Sequence, residues 1–403
     1  MRFGTLLLLA VLNVPPIAAS NCEYAIYIDA DFTSAKVSSE SIRLGINTAF
    51  GEVDHALHAC RFRLVEKDHK ASPLLSRDNL HAFNNDPEAL LVFSGLHSPP
   101  VLSNKSFINK HKILYLVPWA AAGPITRSDG QQNWIFRLSI DDTKAGRFIS
   151  RYALKQGFTK PYLLLEDTGW GRSNHVNMQL ALSHANIKIQ GVSWFKWNLS
   201  EQTARGLLAK VIASSADVLF FVGNAPEGTQ FVQASARLAP PFTLPIRSHW
   251  GITGGSFFNE KTADAINRLD LQFIQTRFSF LHSPLTEFEQ QVLSNAIKMN
   301  PEITKASDIQ AQTGFAHAYD LSRLLIAAIH QAGLTGQKQQ DLAKIHYALE
   351  HLDRPTQGLL KTYLRPFKPY SVNAPDAHEA LSEKDYAMGS FTDKGQIRLV
   401  NFR

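Results

Sequence analysis

Two residues at the end of an apolar run have side chains suited to chemistry at a carbonyl group. His97 and Ser98 follow 90-LLVFSGL-96, and Pro99 and Pro100 come next. Histidine beside serine could supply a base and a nucleophile, but Ser98 lacks the G-x-S-x-G turn of many hydrolases. The prolines are typical of a helix start, where a missing N–H costs nothing. The pair therefore favours a cradle for a carboxylate or carbonyl oxygen, with a hydrolase and a plain helix cap as alternatives.

A second candidate surrounds two glycines in 167-DTGWGRSN-174. Gly169-x-Gly171 after a strand is part of a dinucleotide fingerprint, but the third glycine is missing, and the next strand ends without an acid for a ribose. Trp170, between these glycines at a strand end, is expected to form an exposed flat wall for a ligand. A core tryptophan is the alternative interpretation.

Metal and nucleotide chemistry have weak support. His55 and His58 are three residues apart, but no full ligand set accompanies them, and a solvated helix face is the simpler interpretation. The sequence has no Walker A loop, H-E-x-x-H motif or EF-hand loop. We therefore expect no cofactor, no metal and no catalytic residue.

The candidate residues fall between alternating strands and helices. Short β-branched or aromatic runs are each followed by a helical stretch, the pattern of parallel βαβ units in an α/β fold. Strands are predicted at 24–30, 61–66, 89–94, 112–119, 161–167, 187–195, 217–223, 271–278, 386–391 and 396–402. Helices are predicted at 39–57, 76–83, 101–111, 143–157, 172–186, 200–214, 227–239, 285–299, 313–333 and 341–352. Such sheets bind ligands at the carboxyl ends of their strands, where His97 and Trp170 would lie.

Composition and the first residues indicate an exported protein of two lobes. The 403 residues carry a formal net charge of +6, with lysines and arginines spread along the chain, so no nucleic-acid partner is expected. Residues 1–20 combine Arg2, an apolar run over 6–14 and small residues before the expected cut, as in a secretory signal. That run is too short to span a membrane, which favours a soluble product. The roughly 383 residues that remain exceed one compact core and predict two lobes.

The two cysteines are placed to pair. Cys22 and Cys60 each immediately precede a predicted strand. If those strands are parallel neighbours, both sulfurs lie at the same sheet edge. An even count in an exported chain predicts a disulfide, and two buried thiols are the alternative.

Five segments in order resemble one family. They are 92-VFSGLHSPPVLS-103, 112-KILYLVPWAAAGPITR-127, 134-WIFRLSIDDTKAG-146, 163-LLLEDTGWGRS-173 and 314-GFAHAYDLSRLL-325. The chain resembles the class I periplasmic solute-binding proteins of ABC transporters, of the leucine/isoleucine/valine-binding type. The resemblance implies two Rossmann-like lobes joined by a three-segment hinge. After the signal peptide predicted at 1–20, it implies a first lobe of 21–139 plus 275–356 and a second lobe of 140–274 plus 357–403.

The resemblance also implies where a ligand would bind. The family grips a ligand carboxylate with a serine after the third strand and with a small-residue segment after the fourth, here Ser98 and 119-WAAA-122. The second lobe presents an aromatic residue, here Trp170. The expected ligand-binding residues are His97, Ser98, Trp119, Ala120, Ala121, Ala122, Trp170, Asn224, Ala225, His249, Trp250 and Phe315.

Two departures from the family pattern bear on the ligand. Alanines replace the usual Thr or Ser in 119-WAAA-122, so backbone N–H groups must serve there. The loop 247-RSHWGITGG-255 lacks the acid that would pair with an ammonium group, and an unpaired buried charge costs several kcal/mol. Glu227 and Asp167 could substitute for it. An acidic, neutral or aromatic organic ligand is thus expected almost as readily as an amino acid.

The resemblance implies a monomeric periplasmic protein that captures a small molecule and delivers it to a membrane ABC permease. A periplasmic receptor that reports its ligand to a signalling partner is the alternative, because both functions need only a closing clamp. A secreted hydrolase using His97 and Ser98 is the third hypothesis.

Overall fold

The computed structural model describes residues 22–400 except 129, 131, 240, 241, 256 and 261, so the signal-peptide prediction lies outside the described residues. The strands are β1 (Cys22–Ala30), β2 (Ala56–Leu57), β3 (Cys60–Asp68), β4 (Ala89–Ser94), β5 (Tyr115–Val117), β6 (Ile135–Arg137), β7 (Pro161–Glu166), β8 (Gly191–Phe195), β9 (Val218–Val222), β10 (Ile246–Ser248), β11 (Leu271–Thr276), β12 (Thr356–Gln357), β13 (Thr362–Tyr363), β14 (Tyr386–Phe391) and β15 (Ile397–Val400). The helices are α1 (Lys36–Gly51), α2 (Pro73–Asn85), α3 (Ser98–Lys110), α4 (Asp142–Lys155), α5 (Gly169–His184), α6 (Glu201–Ala213), α7 (Ala225–Ala236), α8 (Ala263–Arg268), α9 (Glu287–Met299), α10 (Gln312–Ala332) and α11 (Lys338–Glu350). Helices follow most of the parallel strands, so the predicted α/β fold class is confirmed.

Two sheets form the framework. The first has six strands in the order β2-β3-β1-β4-β5-β6, and the second has seven in the order β15-β14-β11-β10-β9-β7-β8. Apart from β2, the first sheet is parallel, and β14 and β15 extend the parallel part of the second sheet in the antiparallel sense. Every residue of β4 and β7 is buried, as expected where helices cover both faces of a parallel sheet.

The chain crosses between the two sheets three times. It leaves the first sheet after β6, returns after β11 so that α10 packs against α1, and re-enters the second sheet at β14. Gly45 in α1 permits the close approach of α10, because a Cβ atom there would lie 2.4 Å from the backbone oxygen of Phe315. The two-lobed architecture is thus present, while the residue boundaries of the lobes remain a prediction.

Helix α1 differs from its sequence-based prediction. It ends at Gly51 instead of continuing to 57, because Asp54 and His55 adopt positive φ angles of 51° and 52° in a turn that leads into β2. His58 also has positive φ, at 50°. The two histidines therefore lie in turns, and their interpretation as a solvated helix face is wrong. Among the described helices, none has the length and apolar character needed to cross a membrane.

The predicted disulfide is confirmed. Cys22 and Cys60 are bonded, and they are register partners in the parallel pair β1–β3 with a Cα–Cα distance of 4.5 Å. The bond fastens the start of β1 to the start of β3, so it closes a loop that contains all of α1.

Removing this bond should destabilise the fold. The cysteines are 38 positions apart, and in the chain-entropy model a loop of that size contributes about 4 kcal/mol. We expect the double substitution Cys22→Ser and Cys60→Ser to lower the free energy of unfolding by about that amount in urea titrations. The unaltered protein in reductant is the matched comparison. A loss below about 1 kcal/mol in both cases would contradict the entropic account.

A buried cluster of ionised groups lies where the chain first crosses. Arg137, the last residue of β6, has no exposed side-chain surface; its Nη2 lies 2.7 Å from Glu379 Oε1 and 3.1 Å from Asp141 Oδ1. Burial would raise the pKa of Asp141, but the guanidinium groups of Arg137 and Arg127 hold it well below its usual range. The cluster therefore joins the end of the first sheet, the start of α4 and the segment before β14.

Candidate functional site

A small cavity lies between the carboxyl ends of strands from both sheets. On one side are the loops after β4 and β5, and on the other are the ends of β7, β9 and β10. The lining residues are Leu96, His97, Ser98, Pro99, Trp119, Ala121, Glu166, Trp170, Asn224, Trp250 and Gly251. The centre of a water-sized molecule can move through only about 10 Å³ of it, roughly the space of one water.

Three helices begin at this cavity. Helix α3 begins at Ser98 with His97 as its N-cap, and a proline occupies its first turn as the sequence predicted. Helix α5 begins at Gly169, and α7 begins after its N-cap Asn224. Helix N-termini present N–H groups and the positive end of the helix dipole, so this arrangement favours oxygen acceptors and negative charge in the cavity.

Tryptophan rings form the walls of the cavity. Trp119 from the first lobe and Trp250 from the second meet edge to face, with centroids 6.2 Å apart. Trp170 stands perpendicular to His249 at 5.0 Å. Trp170 is only 5% exposed, so its prediction as an exposed wall is wrong. Helix α5 begins at Gly169, and the Trp170 ring packs against Gly251. A Cβ atom on Gly251 would lie 2.7 Å from that ring.

Several buried ring nitrogens in this lining have no partner. Trp119 Nε1, Trp170 Nε1 and His97 Nδ1 make no hydrogen bond to any described residue. An indole N–H can only donate, and leaving a buried donor unpaired costs about 1–3 kcal/mol. A molecule with acceptor atoms in the cavity would satisfy these donors.

Glu166 is the ionisable group that the sequence analysis missed. It ends β7, is 1% exposed, and accepts hydrogen bonds from Asn224 Nδ2 at 2.9 Å and Thr168 Oγ1 at 3.0 Å. Burial raises the pKa of its carboxyl to about 7. A signal was available: a glutamate inside an otherwise apolar strand is rarely buried without a purpose, and ligands bind at this end of such strands.

The two acids suggested as substitutes for the missing countercharge lie elsewhere. Asp167 pairs with Arg172 at 2.5 Å, away from the cavity lining. Glu227 is buried in an adjoining pocket, where its Oε1 accepts the N–H of Asn198 at 3.0 Å. Burial raises the pKa of Glu227.

The His97–Ser98 pair lacks the geometry of a nucleophile and its base. His97 Nε2 lies 3.2 Å from Asp31 Oδ2, and its other ring nitrogen is unpaired. Burial raises the pKa of Asp31, but its bonds to His97 and Ser34 lower it well below the usual range. The hydroxyl oxygen of Ser98 accepts the N–H of Ala122 at 3.2 Å. His97 is thus oriented by a carboxylate, and Ser98 by the alanine segment.

The structure brings most of the predicted ligand-binding residues together. Those in the cavity lining are His97, Ser98, Trp119, Ala121, Trp170, Asn224 and Trp250. Ala225 lines the adjoining pocket. Four lie outside both linings, namely Ala120, Ala122, His249 and Phe315. Besides Glu166, the sequence analysis missed Leu96, Pro99 and Gly251, which are small or apolar residues without a chemical signal.

His249 lies outside the lining but positions two tryptophans that form part of it. Its Nε2 lies 2.9 Å from Asp142 Oδ1 at the start of α4, and its Nδ1 accepts the backbone N–H of Trp250 at 2.9 Å. Both ring nitrogens are therefore engaged, and the ring positions the two tryptophans that flank it.

A larger pocket of about 440 Å³ adjoins the cavity. The two share Leu96, His97 and Asn224. Loops of the first lobe around Ser34 and Lys70 line one side of this pocket, and Trp197 and Glu227 of the second lobe line the other. It is therefore the mouth of the cleft that leads to the cavity.

Comparisons with known proteins agree with this architecture. A sequence model of the periplasmic binding protein family matches residues 28–238, just over half of the chain. No curated protein matches the sequence. Similar solved structures include a periplasmic binding protein type 1 from Bordetella pertussis Tohama I, with a TM-score of 0.76 and 15% identity over 94% of this chain and 100% of that one.

Two further similar structures have names that state a bound ligand or a function. A solute-binding protein of an ABC transporter from R. palustris, in complex with 4-hydroxybenzoate, has a TM-score of 0.73 and 14% identity over 94% of this chain and 96% of that one. A leucine binding protein from Thermotoga maritima has the same TM-score and identity, over 94% of this chain and 98% of that one. At such identities the likeness establishes the fold. Together with the family match, it shows that the chain belongs to the periplasmic binding protein family.

Proposed function

We propose that this protein captures a small organic solute between its two lobes in the periplasm and delivers it to an ABC importer. One observation carries the proposal: strand ends of both sheets enclose a cavity whose buried ring nitrogens lack partners. Neither lobe alone would form that site. We further propose that residues 1–20 are a signal peptide, that the protein acts as a monomer, and that the lobe boundaries are those stated above.

Ligand exchange requires the lobes to separate. The inner cavity has space for about one water, whereas the adjoining pocket of about 440 Å³ is within the range of small-molecule sites. A solute that enters through this pocket can reach the tryptophans only when the cleft opens. Closure would then bury the solute and give the importer a shape to recognise.

The chemistry of the lining supports a flat ligand rich in acceptors. Trp119 and Trp170 offer unpaired N–H groups and aromatic faces, and three helix N-termini favour negative charge. We infer that the ligand is a carboxylate or an amide. Ser98 and the backbone of the alanine segment would contact its acceptor oxygen atoms. The R. palustris protein named above was solved with 4-hydroxybenzoate. An α-amino acid is the second candidate, since ionised Glu166 could pair with its ammonium group.

Thermal-shift measurements can test the proposal. The purified chain would be screened against aromatic acids, α-amino acids, short amides and urea. A true ligand at about 100 times its dissociation constant adds roughly 2.7 kcal/mol to stability. We expect a carboxylate or an amide to stabilise the protein and to show direct binding in calorimetry. Turnover of an ester, with covalent labelling of Ser98, would instead indicate a hydrolase and overturn the proposal.

The pH dependence of binding should identify the ligand charge. Burial raises the pKa of Glu166 to about 7, so this carboxyl is largely neutral at pH 6 and largely ionised at pH 8. If a carboxylate ligand raises this pKa by one unit, which is about 1.4 kcal/mol of coupling, we expect it to bind roughly fivefold more weakly at pH 8 than at pH 6. An ammonium ligand should show the opposite slope. Calorimetry at the two pH values measures this difference.

Two variants make the measurement specific. Glu166→Gln should remove the pH dependence, because an amide does not ionise between these pH values. Asp167→Asn is the matched control: it changes the neighbouring acid, which pairs with Arg172 outside the cavity lining, and should leave the slope intact. A slope that persists in Glu166→Gln would assign it to another group.

A further inference from the structure

Two histidines and a glutamate converge outside the lining of the ligand cavity. His346 and Glu350 are one turn apart on α11, and His378 lies in the segment before β14. His378 Nε2 is 3.0 Å from Glu350 Oε1, and His346 Nδ1 is 3.8 Å from Glu350 Oε2. One ligand atom from each residue lies within 4.8 Å of the others.

Backbone carbonyls determine which ring nitrogens carry hydrogen. His346 Nε2 lies 2.9 Å from the carbonyl oxygen of Asn133, and His378 Nδ1 lies 3.0 Å from that of Ile135. A carbonyl oxygen can only accept, so both of these nitrogens must donate. In the neutral imidazole the opposite nitrogen then has a lone pair, and in each ring that nitrogen faces Glu350.

Two lone pairs and a carboxylate therefore point toward a common centre. Three acceptors directed at one another are repulsive unless a metal ion or a shared proton lies between them, and a metal ion would satisfy all three at once. Histidines that bind a metal typically donate their other N–H to a backbone carbonyl, as both of these rings do.

Packing holds the rings in this orientation. His378 stacks on Phe136 at a centroid distance of 3.8 Å and an interplanar angle of 16°, and His346 packs on Trp134 at 4.2 Å. Glu350 is fixed as well, because its Oε1 accepts the backbone N–H of Tyr370 at 3.1 Å. Little reorganisation would be needed to bind an ion.

We propose that His346, Glu350 and His378 form a binding site for a divalent metal ion, with Zn²⁺ as the ion that fits best. Imidazole nitrogen and carboxylate oxygen suit Zn²⁺, which accepts three protein ligands and a water. Side-chain exposures of 13% for His346 and 12% for Glu350 leave solvent access for that water. The ion would fasten α11 to the segment before β14, next to the chain crossing. This inference is independent of the ligand cleft.

The test is zinc uptake by the tag-free chain after removal of metals by a chelator. Titration against a chromophoric competitor should show one saturable Zn²⁺ site per chain, and Co²⁺ should give the visible absorption of four-coordinate nitrogen and oxygen ligation. His346→Gln keeps a donor for the Asn133 carbonyl, and Glu350→Gln keeps an acceptor for the Tyr370 N–H. Each should weaken zinc binding about tenfold or more.

His282→Gln is the matched control. His282 also pairs with a glutamate, Glu289 at 2.8 Å, and its other ring nitrogen also lies near a backbone carbonyl, but this pair has no second histidine in the metal-site geometry. Zinc affinity should be unchanged in this variant.

¹⁵N spectra of the unaltered protein test the site even if a variant fails to fold. The signals of His346 Nδ1 and His378 Nε2 should shift when zinc is added. Absence of saturable uptake, uptake unaffected by His346→Gln, or a doubly protonated His378 that persists at saturating zinc would each overturn the proposal.

Discussion

Replacing Arg137 with methionine should lower the free energy of unfolding by about 3–5 kcal/mol, because it breaks a buried ion pair by removing one partner. The guanidinium group has no exposed surface, and it donates to Glu379 and to the carbonyl oxygen of Ala122 at 2.8 Å. Methionine fills a similar volume without charge. The variant leaves the carboxylates of Glu379 and Asp141 buried beside each other, and urea unfolding measures the loss.

The loss should depend on pH in a defined direction. Burial already raises the pKa of Glu379, and removing Arg137 raises it further. The folded state then binds a proton more tightly than the unfolded chain. Stability of the variant therefore falls as pH rises above about 4, the unfolded value for glutamate, and the loss is larger at pH 7.5 than at pH 5.

An exposed ion pair provides the control for Arg137. Arg147 pairs with Glu383 at 2.6 Å, but its side chain is 54% exposed. Such surface pairs contribute about 0–1 kcal/mol, so Arg147→Met should change stability little at either pH. An equal loss in the two variants would show that the cluster at the chain crossing has no special stabilising role.

Local patterns predicted the framework well because its determinants are local. The apolar runs ending at Ala30 and Ser94 are strands, and the prolines after Ser98 begin a helix. The pairing of Cys22 with Cys60 followed from their positions before two strands, which are indeed neighbours. These inferences needed only the order of the elements and the rule that βαβ units have parallel strands joined by a right-handed crossover.

Contacts between distant parts of the chain were beyond that reasoning. Arg137 and Glu379 are separated by 242 positions, and no local signal links them. Glu166 in the cavity accepts a hydrogen bond from Asn224, which is 58 positions away. Strand β10 has only three residues, too few for a periodic pattern. The burial of Trp170 depends on how closely Gly251 approaches, which the sequence does not encode locally.

Replacing Trp170 should give the largest loss of ligand binding. Trp170→Ala removes both an aromatic wall and an unpaired buried N–H donor, and we expect affinity for the best ligand of the thermal-shift panel to fall by about 2–4 kcal/mol, or roughly 30- to 1,000-fold. Trp170→Phe separates the two contributions. It retains most of the packing against His249 but lacks the donor, so a loss of roughly tenfold is expected from the missing hydrogen bond. Calorimetry of folded samples gives both values.

Trp194→Phe is the control that makes this comparison decisive. Trp194 lies in β8, contacts Arg172 and is outside the cavity lining, so affinity should be unchanged while a comparable indole is lost. The order of affinities should be unaltered protein and Trp194→Phe together, then Trp170→Phe, then Trp170→Ala. If Trp170→Phe binds as tightly as the unaltered protein but Trp170→Ala does not, the ring supplies only a wall, and the ligand acceptors face other donors. If both bind normally, the ligand occupies the mouth of the cleft, where Trp197 and Glu227 would contact it.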